Sequence, residues 1–444
     1  MQGVTLTVAI IAAILVLSLR PAYALAAFVT SLLYYPYYLT VTIGTVDILV
    51  GRVVVGVLLM RCLCDSRIRN KFVWSRLDTW VAISMSIYVV VALIYFIMPF
   101  MQRVENRGGF VMDTWLAYMV ARFIITDKSK LVSFAKCIGF ILIPLAILGV
   151  TESVTGWQSF SHLWRFCPWY RESTTLPQRW GLTRAVGPFG HPILFGGSFA
   201  LFMPLIYYLR HEGGMWKSWA YILFGIALIG ALSSMSSGPW VMAILVIICL
   251  AMEKRRYLLK PIFVLFIVSC VFTQITSDRE FYHVVVSYAN PLGGAGWHRA
   301  MLIDLAIQHF GEWWLTGYGN QDPGWGQYLG MVHTDVTNEF ILVGTRYGAF
   351  GMLALIIVLV KAFRKVTYTY RRKTDPKSRH ILWSLGSMLF SVIVTWMSVS
   401  FFGQLATLFY ISLGILVSVV HSNFDWGVRN RLMLIQNYPV QMVV

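Results

Sequence analysis

Apolar runs of roughly membrane-crossing length recur from one end of this chain to the other. They fall near 4–19, 22–43, 47–64, 79–100, 110–126, 131–152, 187–209, 217–233, 238–252, 261–276, 338–360, 381–400 and 404–421. About 20 apolar residues in a helix cover a hydrocarbon layer of ~30 Å, and lipid offers no partner for free backbone groups, so each span is expected to be helical. Composition agrees: 12% of the 444 residues are charged, against about 25% in a soluble domain. The expectation is an all-α polytopic membrane protein, one integral membrane domain over 1–444, with about 12–13 transmembrane helices. The uncertainty of one lies in the tyrosine-rich YYPYYLT before Asp47, which also reads as a short re-entrant piece. The first run ends in Arg20-Pro21 with no small-residue cleavage site, so it reads as a span rather than a removable leader.

Orientation follows from lysine and arginine. The segments 64–76, 127–130, 210–217, 253–260 and a basic loop at 361–380 alternate onto one side, together with the tail GVRNRLMLIQ. The positive-inside rule makes that side cytoplasmic, C-terminus included, and leaves 101–109, 153–186 and 277–337 outside. The N-terminus is also outside if all the runs cross. The formal charge of +17 is thereby used for topology and anionic lipid, so the bilayer is the expected partner and nucleic acid is not. Six scattered cysteines form no disulfide or zinc framework. Charges inside the runs are few. Asp47 with Arg52, and Asp113 with Arg122, share runs and are expected to compensate there, while Arg346 stands alone in a later run.

Two outer segments concentrate the chemistry. The loop 153–186 carries Arg165, Arg171, Arg179 and Arg184 against Glu172, with Glu152 at its start, and intersperses Trp157, Trp164, Trp169 and Trp180. Guanidinium forks suit phosphate, and flat indole faces suit sugar rings, although lipid phosphates and an interfacial aromatic belt use the same residues. The second segment, 277–337, is tryptophan-rich, including Trp313, and ends in VHTDVTNEF. It sets Arg299, His333, Asp335, Asn338 and Glu339 where the chain re-enters the bilayer. Neither P-loop nor GxGxxG is present, and the acidic residues form neither DxD nor HExxH, so no nucleotide, metal or other cofactor is expected. Arginine for a departing phosphate and a base for an acceptor hydroxyl equip the chain for group transfer.

Four pieces in this order resemble the superfamily of O-antigen ligases and Wzy-type polysaccharide polymerases: RAVGPFGHPILFGG (184–197), SSMSSGPW (233–240), HRAMLIDLAIQHFGEWWLTGYG (298–319) and TNEFILVGTRYGAFG (337–351). The resemblance covers roughly 180–360. It implies an all-helical glycosyltransferase of the bacterial inner membrane, with a helical periplasmic segment, using a polyprenyl-diphosphate-linked glycan as donor and a glycan or lipid as acceptor. It needs no metal, and other polysaccharide assembly or export proteins are its expected neighbours. Arg184 and Arg299 would grip the diphosphate and His333 would take the acceptor proton. Arg165, Arg171, Arg179, Trp180, His191, Trp313, Asp335, Asn338 and Glu339 would bind substrate. The chain departs from the family at Ser237, where an arginine is usual, and at Thr337, where a histidine is. His333 stands one helical turn before Thr337 and would face the same pocket if the helix extends that far; Asp335 and Glu339 are the other candidate bases. His298 and His309 read as structural. Polymerase and ligase stay open, with polymerase favoured. A flippase or other transporter is the competing class, but one would line a path through the midplane, whereas these polar groups lie in outer loops. A non-catalytic export subunit is a third.

Overall fold

The computed structural model describes residues 1–167, 178–288 and 296–426. It is 76% helical, and among the described residues the only sheet is one hairpin. Every expected run contains a helix, and eight helices are long and apolar enough to cross a membrane. Shorter apolar helices, Gln2–Ser18 and Pro21–Tyr34, pack beside them. The chain is therefore a predominantly helical, multi-pass membrane protein.

The hairpin corrects the expectation of a helical or re-entrant piece before Asp47. Pro36 denies the helix Pro21–Tyr34 a continuation, because the residue before a proline is pushed towards extended backbone. The β-branched residues that follow pair as Thr40–Ile43 with Val46–Leu49 around Gly44, whose φ is +64°. The chain becomes helical again at Val50.

Successive helices alternate in direction and sort their connections onto two ends. At the basic end Lys128 meets Glu212 at 3.2 Å, Arg210 meets Glu253 at 3.2 Å, and the Lys128 N–H donates to Asp425 O. The opposite end, the site end, gathers the hairpin, 96–109, 153–167, 178–191, the turn 234–236, 277–288, 296–338 and 397–402. Cross-links there include Ile97 N–H to Asn320 (2.8 Å) and Phe401 N–H to Glu339 (2.8 Å). Tyr35 donates to Thr5, which sets the N-terminus at this end too. The basic residues 361–372 are not a loop: they form the last turns of the helix Glu339–Arg372, and only 373–375 separate it from Pro376–Trp396. Helix 339–372 breaks at Gly348 (φ +77°), where a Cβ would stand 2.2 Å from Leu315 O.

The charges inside the runs compensate across helices, not within them. Arg52 pairs with Asp113 at 2.7 Å, and Arg122 pairs with Asp78 at 2.7 Å with both side chains buried. Small residues let three helices close up beneath the site. A Cβ on Gly149 would lie 2.5 Å from Phe195, and one on Gly230 would lie 2.4 Å from Phe199. Such close approach drives helix association where the surrounding lipid is as apolar as leucine. It draws together the site-end tips of helices Lys128–Thr155, Pro192–Tyr208 and Trp216–Ser233. A second, smaller core formed by Leu302, Leu305, Trp313, Trp325 and Val336 holds the segment 296–338 above the bundle.

Candidate functional site

The tips of those three helices hold the loop that bears Arg179 and Arg184. Glu152, fully buried in the last turn of Lys128–Thr155, accepts from the N–H groups of Ser159 (3.0 Å), Val186 (2.9 Å) and Gly187 (2.8 Å) and from the Ser159 hydroxyl. Thr183 N–H donates to Ser153 O, and Ala185 N–H donates to Ser233 O. The serine-rich turn completes the seat: Arg179 donates to Met235 O at 3.1 Å and Arg184 to Ser236 Oγ at 3.4 Å. The sequence mentions Glu152 only as a charge at the loop's edge. Its role was hidden because its partners are backbone amides, which leave no mark on the side-chain pattern.

Arg179 lies near enough to act on both Arg184 and Arg299. Burial, then the charge of Arg179, lowers the Arg184 guanidinium to about 10; burial also lowers Arg299, with Arg179 pulling the same way and Asp335 opposing. None of the three forms an ion pair among the described residues, and the buried Nε atoms of Arg184 and Arg299 have no hydrogen-bond partner. Arg184 is buried and Arg179 and Arg299 are half-buried; charge held away from water without an ion pair is expensive, so the arrangement can accept an anion. His191 belongs to the group. Its Nδ1 accepts from Ile193 N–H at 3.1 Å at the start of helix Pro192–Tyr208. Burial, followed by Arg184 and Arg179, lowers its pKa to about 4, so near neutrality it is an uncharged ring with its proton on Nε2. It is a donor here and not a base. His298, set aside as structural, is buried with Nε2 unpartnered, and burial lowers its pKa, with Asp335 opposing and Arg299 adding to the shift.

Asp335 links this cluster to a neighbouring cavity of about 870 Å³, whose wall also includes Glu339, Arg107, Arg346 and Tyr347. The expected helical face joining His333 to Thr337 does not form. Residues 331–338 are non-helical, and the helix starts at Glu339. Asn338 caps it, accepting from Phe340 N–H (3.0 Å) and Ile341 N–H (3.2 Å) while donating to Met397 O, so its side chain is fully engaged in structure. The His333 side chain is 86% exposed and faces Asp322 at 3.6 Å. Asp322 also accepts from Thr334 and Gly324, so His333 sits on a surface clasp outside the cavity wall.

Of the other expected residues, Trp313 is buried in the small core against Gly344, with its indole N–H on Ala306 O. Trp180 is exposed and meets Trp240 edge-on, and Arg165 stacks on Phe166. Neither joins the cluster; Arg171 lies outside the described residues. Among the described residues Cys62, Cys64, Cys137, Cys249 and Cys270 form no disulfide. One group among the described residues could share a metal ion, His211, Glu253 and His380, and it lies at the basic end. The two imidazoles are stacked 3.6 Å apart and nearly parallel, and Arg210 Nε donates to His211 Nε2, so an ion would need one ring to turn.

Fold and site together define a multi-pass helical membrane protein with an arginine cluster that lacks an ion pair among the described residues, beside a large polar and aromatic cavity at the end opposite its basic loops. No protein-family model matches the chain, and none of the curated proteins compared with it is significantly similar.

Proposed function

We propose that the chain is a glycosyltransferase that polymerises glycan repeat units carried on polyprenyl diphosphate, as in exopolysaccharide or O-antigen assembly, at the non-cytoplasmic face of a bacterial inner membrane. The observation that carries this reading is the convergence of Arg179, Arg184 and Arg299 without an acidic ion-pair partner among the described residues, the equipment for a diphosphate. The four-piece sequence resemblance points the same way. The face follows from the positive-inside rule, since the cluster lies opposite the basic loops.

In this mechanism an acceptor hydroxyl oxygen attacks the anomeric carbon of the donor sugar. The bond from that carbon to the diphosphate oxygen breaks, the electron pair leaves with polyprenyl diphosphate, and the hydroxyl proton passes to a carboxylate. Asp335 is the better base than His333, because it lines the cavity beside Arg299 while His333 points to solvent. The arginines stabilise the charge that develops on the leaving group. Ligation to a lipid would use the same steps with another acceptor.

The test is turnover of a lipid-linked repeat unit by purified protein. Asp335→Asn should cost about 10²–10⁴-fold in rate with donor binding retained, and His333→Ala should stay close to wild type. Arg299→Lys keeps the charge but loses the fork, so donor binding and turnover should both fall. Activity should survive EDTA. Transport of intact lipid-linked glycan without any new glycosidic bond would replace the enzyme with a flippase.

A further inference from the structure

The 870 Å³ cavity contains a buried, unneutralised cation, separate from the arginine cluster and from the exposed Arg346 on the same wall. Arg107 comes from the short helix Phe100–Val111 and is 8% exposed. Its guanidinium lies 4.9 Å from the centres of both Phe96 and Phe110 and 5.9 Å from that of Tyr347. Its hydrogen bonds go only to neutral groups: Nη1 donates to the Tyr347 hydroxyl at 2.9 Å, and Nε and Nη2 donate to Asn106 Oδ1. Three of its five N–H groups are thereby used, and among the described residues no carboxylate comes within ion-pair distance. The cavity's acids face other groups: Asp113 holds Arg52, Glu339 accepts from Phe401 N–H, Asp322 closes the surface clasp, and Asp335 acts on Arg299 and His298. A buried guanidinium is normally paired, and aromatic faces alone do not discharge it.

We propose that this cavity binds an acidic sugar, a hexuronate residue of the glycan, with its carboxylate on the free N–H groups of Arg107 and its ring against the aromatic wall. A planar carboxylate matches the guanidinium fork, and the hydrophobic face of a pyranose matches the exposed ring of Phe402 on the same wall. The volume accommodates more than one sugar ring. The inference rests on the glycan-transfer reading for its ligand class, but its test is of binding alone and does not require turnover.

The test is equilibrium binding of a hexuronate-containing oligosaccharide to the full chain in nanodiscs. It is compared with the same oligosaccharide after reduction of its carboxyl groups to alcohols, with saturating inorganic diphosphate present to occupy Arg179, Arg184 and Arg299. The acidic form should bind at least about tenfold tighter, the worth of one charge-assisted hydrogen-bonded pair. Arg107→Lys should narrow that ratio and Arg107→Gln should abolish it, each judged on protein that elutes as a single species. Equal binding of the two forms by wild type would overturn the proposal without any variant. So would displacement of the acidic form by diphosphate, or an acidic preference that survives Arg107→Gln. Failed turnover with an intact acidic preference would sink the transferase reading and leave this site standing.

Discussion

Replacing Glu152 by glutamine changes one buried atom pair and should disarm a site that Glu152 does not itself form. The carboxylate accepts from four donors, three of them backbone N–H groups at 2.8–3.0 Å. Glutamine keeps one accepting oxygen and turns an NH₂ group towards donors that the other oxygen had satisfied. Each orphaned buried donor costs about 1–3 kcal/mol, so two of them, Val186 and Gly187 N–H, cost about 2–6 kcal/mol. The bundle need not bear that sum, because the loop can lift off the helix tip and hydrate its amides. The penalty then appears as lost positioning of Arg184, which lies two and three residues before those amides. Isothermal titration of inorganic diphosphate into nanodisc protein reads this directly: a 2 kcal/mol loss is about 30-fold in affinity. The melting temperature should fall much less, since the membrane core is untouched. Wild-type diphosphate affinity in Glu152→Gln would refute the reasoning, and so would a collapse of melting with affinity unchanged in the folded fraction.

Further outcomes follow from individual residues. His191 is held near 4 by burial and by two arginines, against about 6.5 in an unfolded chain. Its contribution to stability is therefore complete above pH 6.5 and is lost as pH falls from 6.5 towards 4, by at most about 1.4 kcal/mol per pH unit. His191→Gln should flatten that part of a melting-versus-pH curve. Trp313→Ala empties the small core above the bundle and should cost about 3–5 kcal/mol, visible as early proteolysis of 277–337. Asn338→Ala removes the cap of helix Glu339–Arg372 as well as the bond to Met397 O, and should lower stability by about 1–2 kcal/mol with donor affinity nearly unchanged.

The helices were legible because the solvent is lipid: a run that crosses must satisfy its own backbone, and each of the thirteen contains a helix, although eight rather than 12–13 are long and apolar enough to span. Charge partners were not. Asp113 shares a run with Arg122 but bonds Arg52, which comes from 61 residues earlier, and only packing decides that. Arg184 and Arg299 were findable by residue type, since a guanidinium in an outer loop asks for an anion. Arg107 was overlooked because the residues around it read as a short polar connection. The misreading at His333 had a visible antidote. Asn338 followed by Glu339 is a helix-start signal, an Asx residue before an acidic first turn, and it denies the helix any turn above it.

The break at Gly348 bears on how this protein can be assembled. At that point the helix gives up continuity, and its exposed backbone groups are taken by the segment above it: Tyr318 N–H donates to Thr345 O at 2.5 Å, and Ala349 N–H donates to Trp314 O at 2.7 Å. A helix entering lipid with those groups open would bear the full penalty of bare amides, so the upper turns of 339–372 cannot mature before the segment 310–318 is in place. Insertion of this span and folding of the preceding site-end segment are thus expected to be coupled. A chimera that exchanges 296–338 between proteins would have to carry the helix down past Gly348 with it, because the seam between the two runs through shared backbone rather than along the membrane surface.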